Sequence, residues 1–152
     1  MVFHPLFVHL HIAFLLMAFL SMWYWLLKGL SSSVFEDRIY RFARACTWLG
    51  VVFVALSMAV GVRDGFAGRY AVWGGQQGGW LIVKASLAST LLIVYGFFLY
   101  LSSKKPRYLQ EEPRLLAWCM LTQTAGMAIV VAITAIGTML VYYPWSLPRF
   151  HM

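Results

Sequence analysis

Apolar residues fall into four unbroken runs, at about residues 6–27, 45–62, 80–101 and 115–143, separated by stretches where charge, glycine and proline collect. Polar positions do not alternate with apolar ones inside the runs, which argues against membrane-spanning strands. Crossing a hydrocarbon core of ~30 Å takes about 20 apolar helical residues, so the pattern predicts four transmembrane helices. The fourth run exceeds that length, so it should tilt or project before Pro144 ends it. Short connections imply antiparallel neighbours. The expected fold is all-α, a single four-transmembrane-helix up-down-up-down bundle spanning residues 1–152. Gly50, Ala55, Ser57 and Gly61 in the second run, and Gly126, Ala132, Ala135 and Gly137 in the fourth, mark where helices can approach closely.

Composition places this bundle in lipid. Of 152 residues, 62% are hydrophobic and 11% charged, against roughly half and a quarter in soluble domains. The net charge of +7 would suit nucleic acid if it formed a stripe on a soluble face. Instead the cations sit between the apolar runs. Lys28, Arg38, Arg41 and Arg44 lie in the first connection and Lys104, Lys105, Arg107 and Arg114 in the third, whereas the second has Arg63 and Arg69 with Asp64 and the tail has Arg149. The positive-inside rule then puts both termini outward. Trp73, Trp80, Tyr142, Tyr143 and Trp145 would mark the outer interface, and Trp23, Tyr24 and Trp25 the inner one. The opening lacks a basic n-region and a small-residue cleavage site, so it reads as a retained helix. Residues 65–79, rich in glycine and aromatics, are expected to form a structured outer loop. Cys46 and Cys119 show no CxxC or CxxCH spacing and read as packing thiols.

Candidate chemistry centres on His4, His9 and His11 in the string HPLFVHLHIAF. Ionisable groups in a span are costly and usually face the bundle interior. Pro5 suits a first helical turn. At ~100° per residue, His4 and His11 share a face while His9 points nearly opposite, so one helix cannot chelate one metal with all three. Such histidines either hydrogen-bond across helices and to headgroups, or serve as axial haem ligands or hydrogen-bond donors to a quinone. His9 and His11 are the candidate metal ligands. No histidine occurs in the other three runs, so a bis-histidine clamp would need the tail's His151; otherwise iron would be five-coordinate or take Met, Lys or another subunit's ligand. Lys84, a turn into the third run, either snorkels to headgroups or faces inward to meet a propionate, a carbonyl or iron. Arg63 and Asp64 fit a local interfacial pair, and Thr122, Gln123 and Thr124 fit interhelical hydrogen bonds. Met58 and Met139 lie in the outward halves, where core filling or metal contact are both open. No HExxH, GxSxG or Walker loop is present, which argues against hydrolysis and nucleotide chemistry.

The string His4-Pro5-Leu6-Phe7-Val8-His9 resembles the opening HPxxVHxxI of an uncharacterised bacterial four-helix membrane family with suspected cytochrome-like roles. Residues 60–65 and 136–142 resemble that family's ends of helices two and four, although many of its members begin helix three with a histidine where this chain has Lys84. Leu10-His11-Ile12 and the stretch ending at Lys84 are also similar to bacterial haem-binding protoporphyrinogen oxidases, which pair a helix-one histidine with a helix-three lysine. These resemblances imply a multi-pass protein of the bacterial inner (cytoplasmic) membrane. The expected function is a redox subunit binding haem b, or contacting quinone, near the outer face through His4, His9, His11 and Lys84. It would pass electrons within a larger complex or to a periplasmic carrier. The alternatives are a cofactor-free assembly subunit and a haem-dependent protoporphyrinogen oxidase. Partners are the lipid bilayer and other membrane subunits, not nucleic acid.

Overall fold

A computed structural model describes residues 4–66, 78–104 and 106–142. They form helices α1 (His4–Ser32), α2 (Asp37–Phe66), α3 (Gly78–Leu101), α4 (Pro106–Glu111) and α5 (Pro113–Tyr142). Four of these, all but α4, are long and apolar enough to cross a membrane. Pro5 sits in the first turn of α1, and Pro106 and Pro113 open α4 and α5, positions where the missing N–H costs nothing.

The helices run past the apolar stretches that announced them. α2 begins at Asp37, where the sequence pattern put the span at residue 45, because Asp37 favours a helix N-terminus and pairs with Arg41 at 2.6 Å. Hydropathy marks lipid contact, not helix. The short α4 escaped the pattern for the same reason, being polar and brief. Residues 67–77, the larger part of the expected outer loop, lie outside the described residues.

α1 packs along α2 and α3 along α5; α2 meets α3 and α5 meets α1, closing the ring of an up-down-up-down bundle. α4 rests on α5, with Leu109 fully buried. Each long helix buries residues at alternating steps of three and four. These are His11, Leu15, Ala18, Met22 and Trp25 on α1; Tyr40, Ala43, Thr47, Gly50, Val54 and Ser57 on α2; Ala88, Leu91, Tyr95, Phe98 and Ser102 around α3; and Cys119, Gln123, Gly126, Val130 and Ile133 on α5. That spacing is the seam of a left-handed bundle.

Close contacts fix the register. Leu15 lies over Gly50 and the Trp25 ring meets the Tyr40 ring at 5.2 Å, ten residues apart on each helix. Tyr95 covers Gly126 and Lys84 approaches Gly137, eleven apart on each. The Tyr40 hydroxyl donates to the carbonyls of Ser102 and Lys104, tying α2 to the end of α3. Counting from these points stacks the seams into layers. The layer of Trp25, Tyr40, Ser102 and Cys119 lies near the end that carries Arg38 and Arg41, the basic end. Met22, Ala43, Phe98 and Gln123 follow, then Ala18, Thr47, Tyr95 and Gly126, then Leu15, Gly50, Leu91 and Val130. The last fully buried layer is His11, Val54, Ala88 and Ile133, near the histidine end. Every member of these layers is buried.

Outside the seams the chain is apolar and uncovered. Ile93, Leu30 and Val131 are more than half exposed, and no more than 39% of any of the four apolar windows is buried within the chain. Such a surface suits a lipid bilayer. Both cysteines are buried and free, as their spacing implied.

Candidate site at the histidine end

His11 is the histidine that α1 turns into the bundle. It is 5% exposed, and its Nδ1 lies 3.1 Å from the carbonyl oxygen of Phe7. A carbonyl only accepts, so Nδ1 carries the proton and donates. In the neutral imidazole Nε2 then carries the lone pair. Its layer mates Val54, Ala88 and Ile133 are aliphatic, so the imidazole is the polar member of that layer.

His9 stands two residues earlier, about 200° around the helix, and is exposed. Its Nδ1 donates in the same way to the Pro5 carbonyl at 2.7 Å. The two rings have one tautomer and opposite destinations, His11 toward the core and His9 toward lipid or a neighbouring protein. His4 is the first residue of α1, and its side chain lies outside the described residues. Among the described residues no three His, Cys, Asp or Glu side chains gather into a metal-holding group.

Lys84 on α3 is half-buried and directed at α5. A Cβ placed on Gly137 would sit 3.0 Å from the Lys84 ammonium nitrogen, so the missing side chain of Gly137 makes the hollow that receives it. By register Lys84 lies one turn, about 6 Å, beyond the His11 layer toward the histidine end. It makes no hydrogen bond or ion pair among the described residues. Half-buried Met58 lies one turn beyond Val54, at the level of Lys84, whereas Met139 is exposed. Arg63 is exposed too; the Asp64 side chain, Arg69, Gln76, Gln77 and His151 lie outside the described residues.

The other polar positions divide differently from the sequence expectation. Thr122 and Thr124 donate to carbonyls of their own helix, not across helices. In membrane helices this back-bonding satisfies the hydroxyl without a neighbour. Gln123 is fully buried with both amide atoms unpartnered, and so is the Tyr95 hydroxyl. Sequence reasoning missed Tyr95 and Tyr40, and it read Arg44, whose Nε is buried and unpartnered, only as a charge that sets topology. A tyrosine in the middle of an apolar run, far from either aromatic belt, was the available signal for Tyr95.

No family model, curated protein or solved structure matches the chain.

Proposed function

We propose that this protein is a membrane redox subunit that holds b-type haem at the histidine end of the bundle, with His11 as its ligand. One observation carries the reading: His11 is turned into the bundle with Nδ1–H held by the Phe7 carbonyl, which assigns the lone pair to Nε2. A ligating histidine characteristically donates its other ring N–H in this way. His11 would hold the iron, and the Lys84 ammonium, in its hollow at Gly137, would meet a propionate. Haem bound there would supply one-electron transfer within a larger complex of the bacterial inner membrane or to a periplasmic carrier. Quinone is the weaker cofactor at His11, because a quinone carbonyl needs a donor and neutral His11 already spends its proton on Phe7; Lys84 is the donor that could serve one. His9, facing outward, suits contact with another subunit.

The inward pair of the site is His11 and Lys84, not His9 and His11. That pairing favours, as a second reading, a haem-dependent protoporphyrinogen oxidase. A reduced-minus-oxidised spectrum with pyridine haemochrome quantification, on protein purified in mild detergent, tests the first reading. We expect a stoichiometric b-type signal that His11→Ala abolishes and His9→Ala retains. A colourless, folded protein would instead favour quinone contact or a cofactor-free assembly subunit. Loss of porphyrinogen oxidation in Lys84→Met with haem retained would point to the second reading.

A further inference from the structure

We propose that Tyr95 and Gln123 form an internal hydration site between α3 and α5, in which a small water cluster links the tyrosine hydroxyl to the glutamine carboxamide. Both residues are 0% exposed, and the Tyr95 hydroxyl, Gln123 Oε1 and Gln123 Nε2 have no protein partner. An unpaired amide or hydroxyl is costly in any interior, and a bilayer offers no solvent to relieve it from outside. The partner must therefore be internal.

The placement of these groups fits water. The Tyr95 ring lies over Gly126, where an added Cβ would come 2.6 Å from the ring carbon that carries the hydroxyl. Gln123 precedes Gly126 by three residues and shares its face of α5, so the two side chains belong to adjacent layers whose backbones are about 4.5 Å apart along the axis. The carboxamide brings two donors and an acceptor, the hydroxyl one donor and an acceptor, and a buried water needs two to four such partners. Ala18 and Ala43, the members of the same two layers on α1 and α2, are both small. Neighbouring hydroxyls are committed elsewhere. Thr47 donates to Ala43, Thr122 to Trp118 and Cys119, and Tyr40 to Ser102.

The test is a double-mutant cycle on the full chain in detergent, using the near-isosteric Tyr95→Phe and Gln123→Met. If a shared water satisfies both groups, each single change strands the other group and lowers the unfolding temperature by several degrees, and the double variant recovers most of the loss. If the groups are unsolvated and independent, each change raises the unfolding temperature and the effects add, which overturns the site. Nuclear Overhauser transfer from water to the Gln123 side-chain amide protons decides the ligand. We expect transfer in the unaltered protein and its loss in Tyr95→Phe. Energetic coupling without any transfer would mean a direct bond between the two side chains and would sink the hydration claim. Should Gln123→Met fail to fold, the transfer measured on the unaltered protein still decides.

Discussion

Glycines in this bundle do opposite things according to what faces them. Gly126 is covered by the Tyr95 ring, whereas nothing lies within 4 Å of a Cβ placed on exposed Gly96. Gly126→Ala should therefore destabilise by about 1–3 kcal/mol through overpacking. Gly96→Ala should stabilise by roughly 0.5–1 kcal/mol, since alanine loses less backbone entropy in a helix. Unfolding of both variants in matched detergent checks the sign of each. The sequence named Gly126 as a close-approach position, but residue identity alone did not separate it from Ala55 and Ala135, which the structure leaves exposed. The split between His9 and His11 was legible, because helical rotation per residue does not depend on tertiary detail. The aim of Lys84 was not, because it depends on Gly137, more than fifty residues away, leaving a hollow for it.

Element ends carry their own chemistry. α1 ends at Ser32; the next residue, Ser33, has a left-handed φ of 56°, and Phe35 then folds back so that its ring covers Gly29 and meets Trp25 at 4.9 Å. Lys28 and Glu36 pair across the same turn. A left-handed residue just past a helix is the position glycine favours, because it has no Cβ to crowd the carbonyl. Ser33→Gly should raise stability by up to ~1 kcal/mol, read as a higher unfolding temperature, and no change would mean that serine loses nothing there. The turn lies in a basic, polar stretch whose apolar pattern said only that the helices part, so its geometry was unreadable from hydropathy. The four spans were readable because lipid demands long apolar runs, and that demand is written residue by residue. The seams were harder. On helices apolar all round, the positions that face one another are marked by steps of three and four through polar Thr47, Tyr95 and Gln123 as often as through leucine.

At the level of the whole molecule, the histidine end has a side of the membrane only if the chain has an orientation. Eight of the twelve lysines and arginines lie in the two connections at the basic end, and three lie in the connection and tail at the other. Lysine and arginine bias, not net charge, sets topology, so the four acids that share the basic end do not weaken the inference. The basic end is then expected in the cytoplasm, with His9, His11 and Lys84 near the outer face. Cys46 and Cys119 are buried, so single added cysteines can report accessibility without their removal. Ser103 is exposed at the basic end and Tyr142 is 67% exposed at the other. In intact cells a membrane-impermeant maleimide should label Tyr142→Cys, and should label Ser103→Cys only after permeabilisation. The reverse pattern would place the histidines and Lys84 at the cytoplasmic face. A haem held by His11 would then exchange electrons with soluble cytoplasmic donors rather than a periplasmic carrier. The bundle, its layers and the tautomer of His11 would all stand, because none of them depends on which way the chain is inserted.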